Sequence, residues 1–293
     1  MAKALWSRLV AAWGSPVGPH TQTTRLLRLY TPLGPDVLLA ERMQAVEIVG
    51  PGPQEGVQAF VQRLDDAGAG FVMHVHALSA DPNIDLSTLV GQPVLLELLT
   101  ASAVDTWRPW HGHIVAATRE GSDGGLTRYR LNVQPWAAFL AHGRDSWVFQ
   151  DRSVMDIVDE VLSSLDGQGT LAPSWRWDLH DPSMYPRRSL CIQYQETDLA
   201  FVQRLLREEG IACWWEHEGD PTSPGLGRHT LVLADHSGAC RDNPQPAVRY
   251  TQSHASMRED SLTRWQRQAR VLAGAVALAS RDYRSRSRRE VEH

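Results

Sequence analysis

Alternating apolar and polar residues predict an antiparallel hairpin in the first half of the chain. Tyr129, Leu131 and Val133 alternate with Arg and Asn residues, and a period of two turns one face of a strand toward a core. The extended run His111–Thr118 precedes them, and the segment 120–125 between the two runs is rich in Gly, Asp and Ser. Two extended runs around such a turn are typical of a β-hairpin.

Several shorter apolar runs, bounded by Gly, Pro or polar residues, predict further strands. A turn rich in Pro and Gly at 31–36 separates the first two runs, which indicates a strand, a turn and a strand. A long polar link at 218–228 separates the last two runs and indicates another hairpin. The predicted strands are 25–30, 37–41, Phe71–Leu78, Val94–Thr100, Ile211–His217 and His229–Ala234.

Apolar residues at helical spacing predict two clear helices. Ser153 can cap the first, because Asp156 follows three residues later as a capping-box partner. Thr197 can cap the second, and Gly210 supplies the positive-φ residue that commonly ends a helix. A shorter helix at Gly56–Asp66 also fits the spacing. Since strands dominate, the predicted fold class is α+β and strand-rich, built from antiparallel units.

Composition narrows the class of protein. The chain has 293 residues, 42% of them hydrophobic and 22% charged, as in a globular protein with a substantial core. A formal net charge of -5 gives no overall basic field, so nucleic acid is not an expected partner. The apolar run Val271–Ala279 is much shorter than the ~20 residues of a membrane-spanning helix, and no stable membrane insertion is expected. The cysteines Cys191, Cys213 and Cys240 form no C-x-x-C pair, which fits folding in a reducing compartment.

The two ends of the chain are expected to be a leader and a tail. Ser7 and Arg8 interrupt the apolar run Ala2–Trp13, so an amphipathic helix or a leader is expected there instead of a signal peptide. The Gly- and Pro-rich segment 14–20 predicts a linker. The basic cluster Arg281–Arg289 predicts a disordered end or a linker.

A search for catalytic or metal chemistry gives weak candidates. A nucleophile elbow, a phosphate-binding loop and an H-E-x-x-H motif are all missing from the sequence. Histidines two apart on a strand point to one side and offer two imidazoles to a metal, but a third or fourth ligand must come from elsewhere. A metal-dependent hydrolase is therefore the less favoured alternative, and no metal or cofactor is assigned. The candidate ligands are His74 with His76, His111 with His113, and, from a later hairpin, Glu216, His217 and His229.

Two further pairs of adjacent residues are of types that can act in catalysis or binding. Glu208 and Glu209 are adjacent on a helix and diverge by about 100°, so they cannot flank one scissile bond, and a solvated helix end is expected. Trp214 and Trp215 are candidate stacking residues of a carbohydrate- or partner-binding module. That module is the alternative to a structural role.

The stretch from Tyr194 onward resembles a known protein family. It contains YQETDLAFVQRLLREEGIACWWEH at 194–217 and HTLVLAD at 229–235, and it resembles the VgrG family of spike-hub proteins of type VI secretion systems. Segments such as the TPLGPD turn, which looks like the first hairpin of that family, extend the likeness to roughly residues 23 to 283. The family-motif positions, to which the resemblance assigns structural roles, are Gln193, Tyr194, Glu196, Asp198, Phe201, Arg204, Glu209, Gly210, Glu216, His217, Leu233 and Asp235.

The resemblance implies a fold and a function. Two phage-tail-hub-like β-barrel domains with inserted helices are expected, at 23–148 and at 149–280, after a leader at 1–22 and before a basic tail at 281–293. Three protomers would form a homotrimeric ring that joins a hexameric tube protein to the needle, with an effector or adaptor as a further partner and no catalytic residue. A chain ending at His293 would lack the needle. Assembly is expected in the cytoplasm, with secretion by the type VI machine without a signal peptide.

Overall fold

A six-stranded antiparallel sheet organises the first half of the chain in this computed structural model. Its strands lie in the order β1-β4-β5-β6-β3-β2, and irregularities in register bend β5 after Ile114 and after Arg119. The structure describes residues 20–50, 68–100, 106–123, 125–243, 245–251, 260–265, 267, 277–281 and 288–292. The strands are β1 (Leu27–Tyr30), β2 (Leu39–Glu47), β3 (Phe71–Ser79), β4 (Pro93–Leu99), β5 (Trp107–Asp123) and β6 (Leu126–Gln134).

The predicted hairpin of β5 and β6 is confirmed. The two strands pair antiparallel, and Tyr129, Leu131 and Val133 on β6 are fully buried between more exposed neighbours. The predicted strands β3 and β4 are also present.

The predicted hairpin around the 31–36 turn is wrong. β1 pairs with β4 and β2 pairs with β3, so these two consecutive strands lie at opposite ends of the sheet. A turn motif reverses the chain locally but does not choose the strand that pairs with it. Here Leu29 and Leu38, on either side of the turn, are both buried in the core. Arg25 donates from Nη1 to the carbonyl of Ala40 (2.9 Å), which brings the two ends of the sheet together.

Short strands and two helices form the second half. A three-stranded sheet has the order β12-β13-β9, in which β12 and β13 form the predicted hairpin and β9 runs parallel to β13. The elements are β7 (Arg144–Asp145), β8 (Val148–Phe149), α1 (Val154–Ser163), β9 (Trp175–Asp178), β10 (Cys191–Ile192), β11 (Glu196–Thr197), α2 (Asp198–Glu209), β12 (Ala212–Gly219) and β13 (Gly227–Ala234).

Both helices begin where local sequence rules predict, and α2 also ends where they predict. Ser153 and Asp156 form the reciprocal capping box of α1, and Thr197 caps α2. Gly210 ends α2 with a φ of 71°. The apolar faces of both helices join the residues of the six-stranded sheet in one core, which includes Val75, Ile157 and Leu205. Since this core contains residues from both sides of position 148/149, it does not test the predicted domain boundary there, which stays a prediction.

Residues 243–293 form a separate compact unit. In it β14 (Arg249–Tyr250) pairs parallel with β15 (Ser261–Leu262), and β16 (Ala277–Arg281) pairs antiparallel with β17 (Arg288–Glu292). The basic tail thus contains a paired strand where a linker was expected, because hairpin hydrogen bonds use backbone groups and tolerate basic side chains.

Three sequence predictions lie outside the described residues: the leader at Ala2–Trp13, the linker residues 14–19 and the helix at Gly56–Asp66. Among the described residues, no helix is both long and apolar enough to span a bilayer.

Candidate functional site

The family-motif residues begin on a two-stranded ribbon formed by residues 144–149 and 191–197. Between the paired ends of the ribbon, the backbones of Trp147 and Gln193 exchange both hydrogen bonds (3.1 and 2.9 Å). Tyr194 and Gln195 together oppose the single residue Ser146, and Gln195 has a positive φ of 50°. This is a β-bulge, and it sets which motif side chains face inward.

Gln193 joins the ribbon to the start of α2. Its side chain is 1% exposed, and Nε2 donates to Asp198 Oδ1 (2.7 Å) and to the carbonyl of Glu196 (3.1 Å). The Asp198 carboxylate lies at the N-terminus of α2, where negative charge is stabilising. A Cβ at Gly143 would lie 2.3 Å from Asp198 Oδ2, so any larger residue there would displace this carboxylate from its present position.

Arg204 holds α2 against the ribbon. It forms a forked contact with Glu196 (2.6 and 3.2 Å) and also donates to Glu208 Oε1 (2.9 Å) and to the carbonyl of Ile192 (3.0 Å). The hydrogen bonds with Glu196, which outweigh the cost of burial, raise the pKa of the Arg204 guanidinium. Such bidentate, charge-assisted contacts are the strong class of hydrogen bond.

The expectation of a solvated helix end holds for Glu208, which is exposed, but Glu209 is partly buried and both carboxylates are paired with arginine. Arg188 donates to Glu208 Oε2 (2.8 Å) and to Glu209 Oε1, so both carboxylates tie the loop before β10 to the end of α2. Burial alone raises the pKa of Glu208, but hydrogen bonds from Arg188 and Arg204 bring it below its usual value. The carboxylates are therefore held by arginines.

Replacing Arg204 with Met is expected to lower the free energy of unfolding by about 2 kcal/mol, because it leaves the half-buried Glu196 carboxylate without its cation. Urea unfolding followed by circular dichroism measures this. Arg207→Met is the matched control, since Arg207 lies one turn away and donates to a carbonyl of its own helix. Equal losses in the two variants would contradict a specific role for Arg204.

The later motif residues also form hydrogen bonds, ion pairs or core contacts. Glu216 accepts from Arg176 Nη2 (2.9 Å) and pairs with Arg241 (3.2 Å). Asp235 accepts from the backbone of His180 and the hydroxyl of Tyr185, both at 2.9 Å. Burial, followed by this contact, raises the pKa of Tyr185 to about 12. Phe201 and Leu233 are fully buried, and Phe201 stacks on Phe149.

Tyr194 differs from the buried motif residues Gln193, Phe201 and Leu233 because it points outward. It is 72% exposed and has no hydrogen-bond partner among the described residues. Val148, Leu190 and Ile192 are exposed with it, and Val148 lies directly opposite Ile192 in the ribbon. These four residues form an apolar surface, named here the ribbon face, that the described part of the chain does not cover.

His76 and His111, from the two candidate ligand pairs, form hydrogen bonds with other groups of the protein. His76 contacts Glu120 (3.1 Å) and Arg42 (3.2 Å). His111 contacts His229 through their Nδ1 atoms (2.8 Å), and its Nε2 donates to the carbonyl of Gly225 (2.8 Å). Within the described ranges, no group of three or more His, Cys, Asp or Glu is arranged to hold a metal ion.

The proposed aromatic platform of Trp214 and Trp215 is wrong. Trp215 is 4% exposed, and it packs edge-on against Phe71 and Trp136 in the core. Trp214 is only partly buried, because neighbours on a strand point to opposite faces. The two rings cannot stack together on one sugar.

Comparison with known proteins identifies the class. Residues 68–292 match the family described as the phage tail baseplate hub (GPD). The type VI secretion system spike protein VgrG1a of Pseudomonas aeruginosa is 32% identical over 266 residues, or 89% of this chain and 36% of that protein. VgrG1c of the same organism is 30% identical over 297 residues, or 95% of this chain and 35% of that protein. The chain spans about a third of the length of these relatives.

A solved structure shows the same fold. The E. coli c3393 protein aligns with a TM-score of 0.54 at 21% identity, covering 76% of this chain and 51% of that chain. That protein is a component of the type VI secretion system with structural similarity to the T4 bacteriophage tail proteins gp27 and gp5. The curled, strand-rich architecture is thus that of a phage-tail-like hub. The chain belongs to the phage tail baseplate hub family, and it is similar to the VgrG spike proteins.

Proposed function

We propose that this chain is the structural hub of a type VI secretion spike and not an enzyme. Membership of the baseplate hub family and the likeness to VgrG proteins support this role. The observation that carries it is the pairing of side chains in and around the motif: carboxylates and arginines that could do chemistry form ion pairs with one another at 2.6–2.9 Å. These contacts stabilise the fold.

The proposed assembly is a homotrimer. Two barrel-like domains per chain, at 23–148 and 149–280, would give six similar units in a threefold ring. Such a ring is a physical solution for seating a threefold spike on a sixfold tube. The partners are then a hexameric tube protein and an effector or adaptor. The protein would assemble in the cytoplasm and leave the cell by type VI secretion, without a signal peptide.

The ribbon face is the proposed contact with a second copy. Val148, Leu190, Ile192 and Tyr194 are each at least 45% exposed and together form an apolar surface that would gain from burial. An aromatic residue among aliphatic ones is the composition that interface centres favour.

Light scattering after size exclusion is expected to give a mass near three times 32.7 kDa at micromolar concentration. Ile192→Asp is expected to give the single-chain mass with an unchanged circular dichroism spectrum, because a carboxylate in an apolar interface opposes burial. Met184→Asp is the matched control, since Met184 is also exposed but lies outside the ribbon face. A wild-type monomer would overturn the trimer, and a trimeric Ile192→Asp variant would overturn the role of the ribbon face.

A further inference from the structure

Four histidines meet between the large sheet and the second hairpin. His111 and His113 come from β5, His217 from β12 and His229 from β13, and they are named here the histidine quartet. The ring of His229 lies 5.0 Å from that of His111, 5.5 Å from His113 and 6.3 Å from His217, measured between centroids. The quartet is therefore a direct contact between two sheets whose strands do not pair with each other. Cys213 and Trp215 on β12 also form hydrogen bonds with Gly50 and Ala69, which lie just after β2 and just before β3.

The hydrogen bonds fix where the protons lie. The backbone N–H of Trp136 donates to His229 Nε2 (2.8 Å), so the proton of this neutral ring is on Nδ1. His229 Nδ1–H then donates to His111 Nδ1, and His111 Nε2–H donates to the carbonyl of Gly225. His217 Nδ1 lies 3.0 Å from the carbonyl of His111 and completes the link between β12 and β5.

Neither ring of the central pair can accept a second proton without losing a hydrogen bond. On His111 the new proton would occupy Nδ1 and face the Nδ1–H of His229 across 2.8 Å. On His229 it would occupy Nε2 and face the N–H of Trp136. In both cases two donors would point at each other: the first removes the contact between His111 and His229, and the second removes the contact between Trp136 and His229.

The groups around the quartet do not stabilise the positive charge that a protonated histidine would carry. Phe71 from β3 packs against His217 and His229, Phe139 packs against His113, and Trp215 packs against His229. The charged group that acts on the quartet is Arg108 on β5, a cation. Elsewhere His76 and His236 pair with carboxylates, but in the described residues no carboxylate lies within ion-pair distance of the quartet.

Burial is the main cause that lowers the pKa of all four rings. The pKa of His113 and that of His217 fall from 6.5 to about 4, the pKa of His111 falls as well, and that of His229 falls well below its usual value. An opened chain binds these protons as the pH falls through about 6.5, whereas the closed chain does not bind them until about 4. The closed state is therefore fully favoured above pH 6.5 and loses stability as the pH falls toward 4.

We propose that the histidine quartet is an acid-sensitive joint that holds the β12–β13 hairpin against β5 at neutral pH and releases it in mild acid. The device depends on the paired Nδ1 atoms and the apolar shell. It is independent of the proposed role as a hub.

Hydrogen exchange of the full chain at pH 7.5 and pH 5.5, corrected for intrinsic rates, tests the joint. Each histidine that gains a proton on opening raises the opening equilibrium by up to about tenfold per pH unit below 6.5. Amides of 107–114, 212–219 and 227–234 are expected to lose at least about tenfold protection at pH 5.5, with less than about a threefold change in α1. Unchanged protection, or an equal loss throughout the chain including α1, would overturn the proposal.

A pair of variants makes the test specific. His113→Gln removes one titrating ring but keeps a donor for the carbonyl of Thr170, and it is expected to reduce the acid-induced loss by up to about tenfold. His142→Gln, which replaces an exposed histidine, is expected to behave as the wild type. If His113→Gln keeps the full acid response, the quartet is not its source. The wild-type comparison remains decisive if this variant does not fold.

Discussion

Replacing Gly70 with Ala is expected to lower the free energy of unfolding by about 4 kcal/mol. Gly70 has a φ of 120°, a region that other residues rarely adopt at a cost of about 1–3 kcal/mol. A Cβ at this position would also lie 2.1 Å from Nε1 of Trp215, a ring buried in the core. Displacing a packed side chain costs about 1–3 kcal/mol more. Since domains are stable by about 5–15 kcal/mol, the loss is a large share of the total.

Gly50 provides a matched control for this prediction. It has nearly the same φ of 122°, but a Cβ there would meet nothing within 4 Å. Gly50→Ala is therefore expected to cost about 1–2 kcal/mol from backbone strain alone. Urea unfolding followed by tryptophan fluorescence gives both values. Similar losses in the two variants would show that the contact with Trp215 is not the cause.

Features decided by nearby residues could be predicted from the sequence. The caps of both helices at Ser153 and Thr197, and the end of α2 at Gly210, follow from side-chain and backbone chemistry within four residues. The β5–β6 hairpin follows in the same way from alternation and its turn. Each of these features is specified by short-range interactions, so no knowledge of the tertiary fold was needed.

Features decided by distant residues could not be predicted. The turn at 31–36 was predicted correctly as a break, but the pairing of β1 with β4 depends on residues about 67 positions away, such as Leu29 opposite Leu96. His111 and His229 are 118 positions apart, and nothing in their local sequence indicates that their rings touch. The two histidines looked like candidate ligands only because the sequence shows residue types and not contacts.

The motif in the sequence indicates the candidate site, but it does not show which of its residues are buried and which are exposed. Gln193 and Tyr194 are adjacent and belong to the same motif, yet Gln193 is buried and Tyr194 is exposed. Alternation along a strand predicts opposite faces for the two, but not which face is covered. The bulge at Gln195 shifts the register after them, so simple alternation fails for the residues that follow.

Replacing Asp159 with Leu is expected to lower the free energy of unfolding by about 3 kcal/mol. Asp159 Oδ1 accepts hydrogen bonds from the indole N–H groups of Trp175 (2.6 Å) and Trp177 (2.9 Å), so one carboxylate on α1 holds two residues of β9. Hydrogen bonds to a charged group contribute about 1.5–3 kcal/mol each, and partial exposure reduces the sum. Both indoles would lose their partner at once.

Graded substitutions at this position separate charge from geometry. Asp159→Asn keeps an acceptor without its charge and is expected to cost about half as much as Leu, roughly 1–2 kcal/mol. Glu160→Leu, at the exposed neighbouring position of α1, is expected to change stability by less than about 0.5 kcal/mol. Urea unfolding gives the stabilities, and the fluorescence of the folded state reports whether the indoles lose their hydrogen bonds. If Asp159→Leu is as stable as Glu160→Leu, apolar packing alone holds β9 against α1. The hydrogen bonds between the Asp159 carboxylate and the two indoles would then contribute nothing measurable to stability.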